Sequence, residues 1–109
     1  ALEFCQGTVA EMGDEMDVYQ AIERYAGQGK IAHVHFRNVR GTVPDYDEVF
    51  LDEGDVDMLR ALRLYRRHGY DGVLIPDHTP DVEYAAPWYA GMAWALGYMR
   101  AALTLIEAE

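Results

Sequence analysis

Three short strand-like runs, each followed by a loop and then an amphipathic helix, constrain this chain more than any other feature. ALEFCQGT (1–8), KIAHVHFRNV (30–39) and GVLIP (72–76) are the runs. The first alternates, with Leu2 and Phe4 against Glu3 and Cys5, and Gly7 ends it. The second separates Ala32, Val34 and Phe36 on one face from Ile31, His33, His35 and Arg37 on the other. The third is wholly apolar, the pattern of a strand buried on both faces of a parallel sheet. Between and after them the periodicity predicts helices over about Asp14–Tyr25, over 55–68 and over about Pro87–Glu107. The first carries a Val18, Ala21, Ile22, Tyr25 stripe, is capped by Asp14 or Asp17 and stops at Gly27 or Gly29. The second has Asp55 at its cap, buries Met58, Leu59, Leu62 and Tyr65, and ends at Gly69. The third turns Met92, Leu96, Met99, Leu103 and Ile106 inward. RGTVPDYDEVFLDEGD (40–55) is expected to be a long loop. The order β-α-β-α-β-α predicts parallel α/β architecture with right-handed crossovers.

In that architecture chemistry gathers at the C-terminal ends of the strands. Those ends carry Cys5, then His35 and Arg37, then Asp77 and His78. A thiol, an imidazole and a carboxylate from neighbouring strands suit a divalent transition metal, so Cys5, His35 and Asp77 are the expected ligands. Taken singly, each has a plainer reading: a buried cysteine, a solvated aspartate, a chance histidine pair. His33 lies on the same strand face as His35, roughly 6–7 Å deeper, and is expected to support the site without binding metal. Arg37 can meet an anion at the mouth, bidentately if that anion is a carboxylate, or pair with a nearby acid. His78 is suited to general acid or base work. FLDEGD (50–55) lacks the alternating ligand spacing of a calcium loop and is expected to be helix entry and turn.

Composition narrows the function classes. Acidic residues outnumber basic ones 19 to 9, a formal charge of −10, opposite to the balance of a nucleic-acid binder. The arginines at 60, 63, 66 and 67 form the wet face of one helix. No apolar run approaches the roughly 20 residues of a membrane span, and a single cysteine fits a reducing compartment, so a cytoplasmic location is expected.

FCQGT, VHFRNVRG, FLDEGDVDM, GYDGVLIPDHTP and PWYAGMAWALGYMRA together resemble the C-terminal part of the mannonate dehydratase family. The resemblance implies about three β/α units of a xylose-isomerase-like (β/α)₈ TIM barrel, with a divalent metal, most often manganese, although iron, cobalt or zinc suit the same donors. It implies dehydration of D-mannonate, a small sugar acid, to 2-keto-3-deoxy-D-gluconate in hexuronate breakdown. It places the family's metal ligands on Cys5, His35 and Asp77, an acid/base histidine on His78 and a tyrosine on Tyr89. One further histidine ligand belongs to an earlier strand outside this chain. A whole barrel needs about 250 residues, so residues 1–109 are expected to be a single partial domain, inactive alone and completed by the missing N-terminal portion or by other copies. The competing expectations are a sugar isomerase or epimerase of the same barrel type, and a non-catalytic half-barrel that associates with itself.

Overall fold

The structure is a computed structural model and describes residues 1–13, 17–77, 80 and 87–109. Its elements in order are β1 (Leu2–Cys5), α1 (Gln6–Glu11), α2 (Val18–Gly27), β2 (Ile31–His35), β3 (Asn38–Thr42), β4 (Asp45–Val49), α3 (Met58–Arg67), β5 (Val73–Ile75) and α4 (Pro87–Glu107). β1, β2 and β5 form one parallel sheet with β2 in the middle, and β3 and β4 form a separate antiparallel hairpin. The mixed α/β expectation is met, with the three expected strands side by side.

Local chemistry sets the helix limits. Asp17 caps α2, its carboxylate accepting from the amides of Tyr19 and Gln20. α2 and α3 end alike. Gly29 (φ +66°) and Gly69 (φ +74°) each occupy the left-handed position. Around each, paired amides close the last turn: Gly29 and Lys30 donate to Ala26 and Tyr25, Gly69 and Tyr70 to Arg66 and Tyr65. That is the Schellman arrangement, and glycine fills its positive-φ position without a Cβ clash. Asp57, not Asp55, caps α3 by accepting from the Arg60 amide. Asp55 instead accepts from the Gly41 amide and ties the segment before α3 to β3.

Several expectations give way to tertiary structure. The run 30–39 is not one strand: β2 ends at His35, and Asn38 begins the hairpin that occupies the expected loop. β5 has only three residues, and the Phe36 amide, one residue past β2, makes the closing bond to the carbonyl of Ile75, the last of them. The buried Asn38 side chain binds Leu51, Val56 and its own neighbour Val39. At the other end of β2, Ile31 is buried and Ala32 exposed. A register irregularity between Leu2 and Glu3 disturbs the strict alternation there. β5, expected to be covered on both faces, leaves Val73 62% exposed, because it is an edge strand. α4 buries Ala95, Met99, Ala102 and Ile106, while Leu96 and Leu103 face an open groove of about 930 Å³ bounded by α3, α4 and β5.

The core lies between the sheet and helices α2, α3 and α4, with Phe4, Ile22, Val34, Phe36, Leu62 and Tyr65 at its centre. Burying each such side chain contributes about 1.5–3 kcal/mol. This packing holds β1 and β2 in the register that sets Cys5 beside His35. Gln6, buried directly after Cys5, accepts from the Tyr65 hydroxyl and donates to the sulfur of Met58, which pins the end of β1 to α3.

Candidate metal centre

The side chains that could do chemistry sit where the parallel strands end. Cys5 is the last residue of β1, His35 the last of β2, and Asp77 lies two residues beyond β5. One ligand atom from each of Cys5, His35 and Asp77 lies within 4.8 Å of the others. His35 Nδ1 is 3.4 Å from Asp77 Oδ2. Asp77 has φ +55°, the left-handed region that aspartate tolerates better than most residues at a cost of about 1 kcal/mol. Backbone strain of this kind collects at functional sites.

Arg37 is the hub of the cluster. It is 6% exposed, just past the end of β2. Its Nε donates to Cys5 Sγ at 3.4 Å and its Nη2 to Thr8 Oγ1 at 3.0 Å, while Nη1 donates to Glu48. Glu11 and Asp77 oxygens lie 3.7 and 3.6 Å from the guanidinium. Burial works against its charge, but the bond to Cys5 and the field of Cys5, Glu48 and Glu11 outweigh it, and its pKa is raised. Thr8 also donates to Cys5 Sγ, at 3.0 Å, so the sulfur receives two donors from one side. Gly7 makes room for this arrangement: a Cβ there would come within 2.5 Å of Arg37 Cγ.

Cys5, His35, Asp77 and Arg37, the residues singled out in the sequence, are thus brought together. Arg37 meets protein acids as well as the sulfur. Tyr89 lies in the first turn of α4 and is 70% exposed. His78 lies outside the described residues. His33 is 3.4 Å from Glu3 Oε2, and His35 Nε2 is 3.0 Å from Glu3 Oε1. Glu3, Thr8, Glu11 and Glu48 were missed by sequence reasoning. Glu3 shares a strand face with Cys5, two residues away, so strand alternation alone could have flagged it. Glu48 arrives on the hairpin, in a segment whose sequence carries no catalytic pattern.

The comparisons with known proteins agree with one another. The D-mannonate dehydratase (UxuA) family model matches residues 1–107. Mannonate dehydratase 2 of Halalkalibacterium halodurans is 32% identical over 101 residues, covering 88% of this chain and 29% of that protein. Mannonate dehydratase of Lactococcus lactis subsp. cremoris is 29% identical over 104 residues, covering 89% and 29%. The chain therefore spans less than a third of the curated relatives' length. The crystal structure of mannonate dehydratase from Streptococcus suis serotype 2 superposes on 96% of this chain and 33% of its own, with a TM-score of 0.71 and 23% identity. With nearly every residue matched by the family model, the chain belongs to the D-mannonate dehydratase (UxuA) family.

Proposed function

We propose that this chain is the metal-bearing portion of a (β/α)₈ enzyme that dehydrates D-mannonate to 2-keto-3-deoxy-D-gluconate. The observation that carries this is the approach of Cys5, His35 and Asp77 within 4.8 Å of one another at the C-terminal side of the parallel sheet. The donor set fits a first-row divalent cation, with manganese, iron, cobalt and zinc all compatible with thiolate, imidazole and carboxylate. When bound, the cation supplies electrophilic stabilisation for substrate oxygens beside the carbon that loses its proton.

The chain's own residues do the rest. Arg37 and Thr8 orient the Cys5 sulfur toward the site. Glu48 on the Arg37 guanidinium stands where the substrate carboxylate would bind, and exchange of one carboxylate for the other would keep the buried cation paired. His78 and Tyr89 form the pair that moves protons, one accepting from carbon and the other protonating the leaving hydroxyl. The remaining barrel strands, from the rest of the polypeptide or from further copies, complete the pocket.

The test is metal analysis of the 109-residue chain with a mannonate dehydration assay. Bound divalent metal without turnover is the expected result, with the equivalent that involves the Cys5 thiolate lost in Cys5→Ala and Asp77→Ala. A chain that shows no thiolate-bound equivalent, or keeps it in both variants, overturns the proposal. The exposed edge and groove beside β5 favour a second reading, a self-associating half-barrel, which a metal-free, stable oligomer would support.

A further inference from the structure

The β1–β2 face that bears the candidate metal centre carries a second set of donors. Glu3 is in register with His33, just as Cys5 is with His35. The two parallel strands therefore present a two-by-two array, a carboxylate and a thiol on one, two imidazoles on the other. Glu3 spans both rings: Oε1 lies 3.0 Å from His35 Nε2 and Oε2 lies 3.4 Å from His33 Nε2. The ring centroids are 5.6 Å apart. A tetrahedral cation with N and O ligands at about 2.0–2.1 Å sets neighbouring ligand atoms about 3.3 Å apart, close to both contacts. One ligand atom from each of Glu3, His33 and His35 lies within 4.8 Å of the others. Glu3 and His33 are partly exposed, so water can complete the coordination.

His35 joins the two sets. Its Nδ1 is on the Asp77 side and its Nε2 on the Glu3 side. We propose that Glu3, His33 and His35 Nε2 form a second divalent-cation site, back to back with the first and sharing its imidazole. Two imidazoles and one carboxylate suit an ion such as Zn²⁺ or Co²⁺. A neutral imidazole offers one lone pair, so the two cations compete for His35 unless its remaining ring proton is released to solvent. The second equivalent therefore binds more weakly than the first. The site shares a residue with the centre proposed above, but its existence does not require that centre to be catalytic.

The experiment is a Co²⁺ titration of the 109-residue chain, followed by calorimetry and by the thiolate-to-cobalt absorption band. Two equivalents are expected, only one of them with the thiolate band. Cys5→Ala should abolish the band and keep the other equivalent. The double variant Glu3→Gln, His33→Ala should keep the band and lose the second equivalent. His35→Ala should weaken both by at least about tenfold. Circular dichroism on each variant separates loss of metal from loss of fold. A single equivalent that carries the thiolate band overturns the inference. So does a double variant that weakens the banded equivalent without changing the count, since Glu3 would then only orient His35. A Glu3- and His33-dependent equivalent without any thiolate band would sustain this site and refute the Cys5 centre.

Discussion

Removing the Asn38 side chain should cost this fold a large share of its stability. Asn38 is 1% exposed. Its amide nitrogen donates to the Leu51 and Val56 carbonyls, and its oxygen accepts from the amides of Val39 and Val56. Asn38→Ala leaves these four backbone groups without that partner, and each buried unsatisfied group costs about 1–3 kcal/mol. The four losses share one side chain and relaxation can recover part of them, so the expected net loss is about 3–5 kcal/mol. A domain of this size has only about 5–15 kcal/mol in total. Gly54 offers an internal control. A Cβ at Gly54 would lie 2.2 Å from Asn38 Oδ1 and 2.6 Å from the Val39 carbonyl. Gly54→Ala alone should therefore be severe, and in the Asn38→Ala background it should cost distinctly less, since the nearer clash is gone. Urea denaturation of the two single variants and the double variant reads this coupling directly. A loss below about 1 kcal/mol for Asn38→Ala, or strict additivity with Gly54→Ala, would refute the reasoning. Because Asn38 follows Arg37, the same tether sets the backbone from which the guanidinium reaches Cys5.

Other perturbations address the site and the core. Gly7→Ala should weaken metal binding more than it lowers stability, because its Cβ would meet the buried Arg37 side chain; unchanged affinity by calorimetry would show that Arg37 is not needed to hold Cys5. Arg37→Met should destabilise by about 3 kcal/mol in denaturant, since it leaves the buried Glu11 oxygen without its cation. A loss below about 1 kcal/mol would contradict the ion-pair account. Burial raises the Tyr65 pKa above its ordinary 10.0. The unfolded chain then releases this proton first, so the contribution is complete below about pH 10 and falls away as pH rises further. Tyr65→Phe should flatten the alkaline arm of the stability–pH curve while costing stability at neutral pH, because Gln6 Oε1 loses its donor. An alkaline arm of unchanged slope would exclude Tyr65 as its source.

The amino-acid sequence by itself determined the order of the three parallel strands and the main helices, the aspartate cap of α2, the glycine stops of α2 and α3, and the family. Those features rest on local chemistry: an aspartate next to free amides, a glycine at a left-handed turn, apolar residues at helical spacing. Cys5, His35 and Asp77 were also readable there, because parallel strands deliver their last residues to one edge. Tertiary structure decided what depends on partners distant in the chain. It ended β2 at His35, after which the Phe36 amide closes on Ile75, the last residue of β5, and the Asn38 side chain binds the Leu51 and Val56 carbonyls. It brought Glu48 from the hairpin onto Arg37, a pairing that no local pattern in the sequence marks. It left Val73 and Ile75 of β5 exposed, because covering a strand's faces requires packed layers that no local pattern supplies.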